Sequence, residues 1–173
     1  TFSWATPDGQ QTNRAEAFQL NSITVKIAKG ELVMIIGSTG SGKSSLLYAI
    51  ANEMHCSMQN RAIKKLFFMS QNPWLIQGTL QENIVLDNPY DELKLLKAVE
   101  SAQLTYDLKD LGLDKNIGEN GCKVSGGQKQ RICMARLFYS DRETLLLDDP
   151  LSALDPIVAD RLMAVIAKEL KGR

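Results

Sequence analysis

The chain has 173 residues, which is enough for one domain with its own hydrophobic core. Lys and Arg together number 20, as do Asp and Glu, so the balanced charge predicts no nucleic-acid partner and no acidic lipid surface. A structural zinc site needs about four ligands, whereas His55 and Cys56 offer only two. Three widely spaced cysteines are typical of a reducing compartment.

The first third of the chain has the pattern of strands around a glycine-rich loop. Residues 2–4 are short and aromatic, and residues 23–27 alternate apolar and polar side chains as a half-buried strand does. Residues 32–36 form a continuous apolar run, which is typical of a strand buried on both faces of a parallel sheet. We therefore predict strands ahead of the loop at residues 37–44 and a helix after it, over residues 44–53.

The middle of the chain favours helices. A strand is predicted over residues 65–70, and a helical pattern extends from residue 79 to residue 111. The predicted core-facing residues of this pattern are Leu93, Leu96, Val99 and Ala102. No apolar run approaches the roughly 20 residues that cross a bilayer, so we expect any membrane role to depend on a partner or on other parts of the same polypeptide.

The last third predicts a helix after Gly127, a buried strand over residues 144–147 and a helix that Pro156 opens, because proline suits the first helical turn. The predicted inward residues are Ile132, Met134, Ala135 and Phe138 in the first helix, and Val158, Leu162, Val165, Ile166 and Ala167 in the second. The whole pattern predicts an α/β fold with a mixed sheet at the front and a helical insert near residues 76–125.

Residues 37–44 match the phosphate-binding pattern GxxxxGK[ST] between a predicted strand and a predicted helix. The glycines let successive N–H groups point at phosphate oxygens, and the helix presents the positive end of its dipole. Lys43 is expected to reach the β- and γ-phosphates and Ser44 to ligate Mg²⁺. The predicted nucleotide-binding residues here are Gly37, Ser38, Thr39, Gly40, Ser41, Gly42, Lys43, Ser44 and Ser45.

Two carboxylates follow the apolar strand predicted over residues 144–147. In enzymes with a phosphate loop, the carboxylate at the end of this strand contacts Mg²⁺, and we assign that role to Asp148. Asp149 comes next, at the position of a general base or of a group that orients water.

A second glycine motif precedes the helix that follows Gly127. Its residues are Ser125, Gly126, Gly127 and Gln128. Ser125 is expected to cap the helix, and the glycines would let another phosphate approach the backbone. The sequence therefore predicts two helix starts that bind anions, one after Gly42 and one after Gly127.

These motifs, in this order, resemble an ABC ATPase over nearly the whole chain. The resemblance implies that Gln71 is the Q-loop glutamine, which senses Mg²⁺ and the γ-phosphate, and that Trp4 stacks on adenine. It also implies that residues 125–128 contact the ATP of a partner domain, and that residues 152–155 form the D-loop, which touches the opposing monomer.

The subclass follows from further local likenesses. Residues 116–121 resemble the exporter X-loop, which contacts the coupling helices. Residues 71–74 and 148–152 resemble the first nucleotide-binding domain of the C subfamily, the multidrug-resistance-associated proteins.

The resemblance implies one nucleotide-binding domain over residues 1–173 with a P-loop NTPase (RecA-like) core. Residues 1–75 and 126–173 would form this core together with an N-terminal antiparallel β subdomain, and residues 76–125 would form a helical subdomain. The family's final strands and its switch histidine are not found in the sequence, so we expect the C-terminus to be truncated.

The resemblance implies that the domain binds ATP and Mg²⁺ and dimerises head to tail with a second nucleotide-binding domain, which the same polypeptide would carry. Transmembrane domains would be its other partners, at the cytoplasmic face of a membrane, and the isolated piece would be monomeric. Ser44, Gln71 and Asp148 would be the Mg²⁺ ligands. Lys43, Gln71 and Asp149 would act in catalysis.

Asp149 departs from the family pattern. Most active members have Glu directly after the Walker B aspartate, which is Asp148 in this chain. The carboxylate of Asp149 is one methylene shorter, and a displacement of about 1 Å costs roughly 10²-fold in rate. We therefore predict slow hydrolysis at this phosphate loop. Val124 stands where the family usually has Leu, directly before the Ser-Gly-Gly-Gln motif of residues 125–128, and both residues are apolar.

Three other classes remain open from the sequence. One is a regulatory module that binds ATP without hydrolysing it, which is consistent with Asp149 in place of the usual Glu. Another is a soluble ABC ATPase of DNA repair or translation, although the stretch between Lys43 and Ser125 is too short for the coiled coil of the repair enzymes. A small-molecule kinase would not explain residues 125–128.

Overall fold

The computed structural model describes residues 2–3, 18–56, 63 and 65–170. Its helices are α1 (Lys43–Ile50), α2 (Leu80–Val85), α3 (Glu92–Ser101), α4 (Leu108–Leu111), α5 (Gly126–Tyr139) and α6 (Pro156–Glu169), with a 3₁₀ turn at Glu119–Gly121. Its strands are β1 (Phe2–Ser3), β2 (Gln19–Leu20), β3 (His55–Cys56), β4 (Leu66–Met69) and β5 (Thr144–Leu147).

The described strands form two separate sheets. The short antiparallel sheet has the order β2-β1-β3, and the other sheet is the parallel pair β4-β5. In the parallel pair, Leu66 lies opposite Thr144 and Met69 lies opposite Leu147. The predicted strands over residues 65–70 and 144–147 are therefore confirmed, and their carboxyl ends lie side by side.

Helix α5 lies at the centre of the hydrophobic core, with α2 and α3 packed against it. The predicted inward residues of α5, namely Ile132, Met134, Ala135 and Phe138, are all buried. Pro156 occupies the first turn of α6, as predicted, and the Asp155 side chain caps that helix by accepting from the Val158 N–H. Leu162 and Ile166 are buried, whereas Ala167 is exposed.

The inward face of α3 differs from the prediction in part, since Val99 and Ala102 are buried as predicted but Leu93 and Leu96 are not. Leu93 and Leu96 are exposed, and Leu95 and Ala98 are buried beside Val99. The predicted residues are spaced strictly by three. Three residues fall about 60° short of a full helical turn, so the predicted set moves step by step to the opposite side of the helix. The observed set instead follows the three-and-four spacing of one helix face.

The two strands predicted ahead of the phosphate loop are not formed. Residues 21–38 contain no helix or strand, and apolar side chains at 23–27 and 32–36 are exposed. A strand needs backbone N–H and C=O partners on a neighbouring strand, and β5 pairs only with β4 among the described strands. The burial predicted from the apolar pattern is therefore wrong for these residues, because the pattern did not specify a partner for the backbone.

Candidate nucleotide-binding site

The loop over residues 37–42 leads directly into α1. Gly40 and Gly42 have φ values of 78° and 97°, which lie in the left-handed region that favours glycine. Gly42 is the N-cap residue and has no side chain to cap the first amides of α1, and no other side chain in the described ranges does so. The first turn carries no acidic residue. The free N–H groups and the positive end of the helix dipole therefore make this end suited to an anion.

Lys43 lies over the backbone of this loop. Its Nζ donates to the carbonyl oxygens of Gly37 at 3.0 Å and of Ser38 at 2.8 Å. A Cβ atom on Gly37 would lie 2.7 Å from Ser41 Oγ, so the loop folds back closely on itself at this glycine. The sequence motif thus folds into a curled loop with an ammonium group beside it, as expected for a phosphate cradle.

A cavity of about 220 Å³ adjoins the loop. Its lining residues are Phe18, Gly40, Gly42, Lys43, Ser44 and Ser45. Phe18 was not predicted to belong to the site, and it lies so close that a Cβ atom on Gly42 would come within 2.7 Å of its ring. An aromatic ring beside the cradle offers an apolar wall for a bound nucleotide. Trp4, the predicted adenine-stacking residue, lies outside the described residues.

Gln71 and Asp149 come together at the carboxyl ends of β4 and β5. The Gln71 Nε2 donates to Asp149 Oδ2 at 3.2 Å, although the two residues are 78 positions apart. The Asp148 N–H donates to the Met69 carbonyl at 2.9 Å, which continues the ladder of the parallel pair. The two predicted carboxylates and the predicted glutamine therefore share one edge of the sheet.

The predicted Mg²⁺ ligands fit the chemistry of that ion. Ser44, Gln71 and Asp148 supply oxygen atoms, and Mg²⁺ in nucleotide sites takes one or two carboxylates together with substrate phosphates. No cluster of three His, Cys, Asp or Glu side chains that could hold a metal ion occurs among the described residues. The side chains of His55 and Cys56 lie outside this description.

The second glycine motif forms the capped start of α5. Ser125 Oγ accepts from the Gln128 N–H at 3.2 Å, and Gln128 Oε1 accepts from the Ser125 N–H at 2.8 Å. This reciprocal capping box confirms the predicted cap at Ser125. Val124, where the family has Leu, is buried.

An ion pair that the sequence did not predict holds the first turns of α5. Arg131 Nη1 lies 2.6 Å from Asp107 Oδ2, with both side chains largely buried. The Gln128 Nε2 donates to Asp107 Oδ1 at 2.9 Å, and Arg131 also donates to the Gln103 carbonyl at 2.6 Å. The Gln128 side chain is thereby fixed at both its oxygen and its nitrogen.

Arg136, further along α5, holds the segment that follows Gln71. It is buried, its Nε donates to the Asn83 carbonyl at 2.8 Å, and its guanidinium lies 4.4 Å from the centre of the Trp74 ring. Burial lowers the pKa of the Arg136 guanidinium and raises the pKa of the nearby Cys133 thiol. Cys133 therefore stays a protonated thiol at neutral pH.

The segment over residues 116–121 is tied to the start of α2. Asn116 forms an isolated bridge with Thr79, and the Ile117 N–H donates to the Gly78 carbonyl at 2.9 Å. An open groove of about 690 Å³ lies beside this junction. Its lining residues are Ile76, Gln77, Gln81, Glu82, Val85, Leu86, Asp87 and Tyr90.

Within the described ranges, none of the helices has the length and apolar character that a bilayer crossing requires.

The chain resembles known proteins over most of its length. The family model described as "ABC transporter" matches residues 20–152. "ABC transporter C family member 3" of Dictyostelium discoideum is 42% identical over 94% of this chain. Human "ATP-binding cassette sub-family C member 8" is 35% identical over 98% of the chain, and a "Multidrug resistance protein" of Leishmania tarentolae is 41% identical over 89%.

The matches cover only a small part of each relative. The chain spans 11% of the Dictyostelium protein, 12% of the human protein and 10% of the Leishmania protein. Among solved structures, "Structure of a bacterial Atm1-family ABC exporter with ATP bound" matches 93% of this chain and 31% of that one, with a TM-score of 0.83 and 23% identity. That match shows the nucleotide-binding domain fold of a P-loop NTPase with mixed α/β content.

Membership of the family implies ATP binding, usually with Mg²⁺, and suggests ATPase activity. The residues that the family model matches include the loop over residues 37–44, Gln71, Asp148 and Asp149, and the start of α5. The chain belongs to the ABC transporter family, and the relatives it resembles include members of the C subfamily.

Proposed function

We propose that this chain binds Mg·ATP at residues 37–45 as the first nucleotide-binding domain of an ABC exporter. The observation that carries the proposal is the uncapped N-terminus of α1 behind a loop with two left-handed glycines and the Lys43 ammonium. Phosphate oxygens are the ligands that such an arrangement of N–H groups and positive charge binds best.

The second part of the proposal concerns a partner domain. The α5 start, with Ser125, Gly126, Gly127 and Gln128, would contact the ATP held by a second nucleotide-binding domain in a head-to-tail dimer. The capping box and the Asp107 contact support this role, because they fix the first turn of α5 before any ligand arrives. ATP that binds the closed dimer more tightly than the open one would supply the closing free energy.

The third part concerns the rate at this chain's own site. Asp149 would orient the attacking water together with Gln71, and its Oδ2 already accepts from the Gln71 amide at 3.2 Å. The short Asp side chain would hold the carboxylate back from the phosphates, so hydrolysis here would be slow. The partner's site, completed by residues 125–128 of this chain, would be the faster one.

Transmembrane domains of the same transporter are the remaining proposed partner, at the cytoplasmic face of the membrane. The groove beside α2 supports a docking surface for them, because its lining includes Ile76 and Gln77, next to the residues that bond to the segment over residues 116–121. Ile76 and Tyr90 are exposed apolar side chains in this groove. ATP binding and hydrolysis would then drive transport through this contact.

A regulatory module that binds ATP without turnover is the second candidate function. The observation that favours it is the same Asp149, since loss of the longer carboxylate would leave binding intact. Single-turnover assays with and without a partner domain whose own site is inactivated separate the two candidates. Phosphate can then come only from this chain's site, so faster release on adding the partner would mark a slow ATPase and no release would mark a regulatory module.

Lys43→Ala tests the binding site itself. Removing the ammonium takes away charge-assisted hydrogen bonds worth about 1.5–3 kcal/mol, so the Kd for Mg·ATP should rise by roughly 10- to 100-fold. Isothermal titration calorimetry on the 173-residue chain measures this. Lys65→Ala is the matched control, because Lys65 is an exposed lysine that pairs with Glu143. Equal affinities for wild type and Lys43→Ala would remove the assignment.

A further inference from the structure

Gln130 is a buried amide on α5 whose hydrogen bonds all reach the turn after β5. It is 1% exposed. Its Nε2 donates to the Asp149 carbonyl at 3.1 Å and to Ser152 Oγ at 3.3 Å, and its Oε1 accepts from the Ala153 N–H at 3.0 Å. One side chain therefore holds both ends of the turn over residues 149–153.

Gly127 brings the same face of α5 against the same turn. It precedes Gln130 by three residues, so the two lie one above the other on the helix. A Cβ atom on Gly127 would stand 3.0 Å from the Ala153 carbonyl oxygen, which is backbone and has little room to move. The glycine thus lets α5 pack closely against this turn within the chain, apart from any phosphate that it would meet on a partner.

Asp149 needs support from its surroundings. Its φ of 50° lies in the left-handed region, which a residue with a side chain adopts only where neighbouring contacts maintain it. Its carbonyl accepts from Gln130, and also from the Ser152 hydroxyl at 3.2 Å. Its carboxylate meets Gln71 on the other side. Fixing the carbonyl fixes the direction in which this carboxylate leaves the backbone.

We propose that Gln130 is a positioning residue that sets the orientation of Asp149 and ties it to the helix that begins at residues 125–128. We call the hydrogen bonds of Gln130 to Asp149, Ser152 and Ala153 the tether. The tether joins the start of α5, which would face a partner's nucleotide, to the turn that serves this chain's own nucleotide. The catalytic consequence rests on the proposed function of Asp149, whereas the tether itself is independent of any nucleotide.

Gln130→Met and Gln130→Glu test the tether in the 173-residue chain. Methionine has a similar length without polar groups, and glutamate keeps an oxygen acceptor for the Ala153 N–H but loses the amide donor. Amide hydrogen exchange of Ala153, measured by NMR, should become at least about tenfold faster in Gln130→Met beyond any change in global stability. In Gln130→Glu the same amide should stay better protected than in Gln130→Met.

Ile132→Val is the control for loss of core packing. Ile132 is a fully buried α5 residue that makes none of the turn's hydrogen bonds, so Ala153 exchange in this variant should change only as much as global stability does. Unchanged Ala153 exchange in Gln130→Met would overturn the tether.

The positioning role has its own readout. Single-turnover ATP hydrolysis should fall about tenfold in Gln130→Met while the Kd for Mg·ATP changes less than about twofold, which is the sign of a group that acts on the reacting geometry. If the Ala153 amide exchanges faster in Gln130→Met but the hydrolysis rate is unchanged, the positioning role is overturned. Failure of wild type to bind Mg·ATP would instead count against the proposed function, and the exchange measurement would still decide the tether.

Discussion

The region around α5 and the segment over residues 21–38 are both rich in apolar side chains, yet they differ in burial. Leu80, Ile84 and Leu95 are completely buried against α5. In the segment ahead of the phosphate loop, by contrast, Ile36 is 88% exposed and Val25 is 60% exposed. Apolar composition alone therefore does not determine which part of this chain becomes core.

The difference lies in where the backbone hydrogen bonds are made. A helix satisfies its N–H and C=O groups within four residues, so its period alone prepares an apolar face for packing. A strand depends on a neighbour that is distant in sequence. The pair β4-β5 has such a neighbour, whereas residues 32–36 have none among the described strands.

The largest expected effect is a contrast in stability between the two regions. Leu80→Ala should lower the free energy of unfolding by about 2–5 kcal/mol, because it leaves a cavity in the core. Ile36→Ala should change it by no more than about 0.5 kcal/mol, because the side chain already contacts water. Urea denaturation followed by circular dichroism gives both values.

A loss in Ile36→Ala as large as that in Leu80→Ala would mean that residues 32–36 are packed in solution, and that the contrast between the two regions is wrong.

Asp149→Glu tests the ordered side of this contrast, since Asp149 contacts both Gln71 at the end of β4 and Gln130 on α5. Restoring the longer carboxylate should raise the single-turnover hydrolysis rate by about 10- to 100-fold, which corresponds to roughly 1.4–2.7 kcal/mol. Asp160→Glu makes the same chemical change on the exposed surface of α6 and should leave the rate unaltered. A rate that stays the same in Asp149→Glu would show that side-chain length does not limit this site.

The parts of the site that the sequence predicted are those determined by neighbours along the chain. The loop over residues 37–44 needs its own glycines, and the cap of α5 needs Ser125 and Gln128, which are three residues apart. Both were predictable from spacing because the contacts that form them are local.

The contacts that were not predicted join residues far apart in the sequence. Phe18 reaches the phosphate loop across more than 20 residues, Asp107 pairs with Arg131, and Gln130 bonds to Asp149. A single aromatic residue or a single glutamine forms no repeating pattern in the sequence, so its partner cannot be predicted from spacing. Such contacts follow from the packing of whole elements, which one sequence does not specify.

The most direct test of the account is an NMR titration of the 173-residue chain with Mg·ATP at low protein concentration. We expect backbone amides over residues 37–44 to shift strongly, with smaller shifts near Gln71 and Asp149. Amides over residues 125–128 should shift only after a second nucleotide-binding domain is added. Saturable shifts centred on residues 125–128, with none over residues 37–44, would contradict the account.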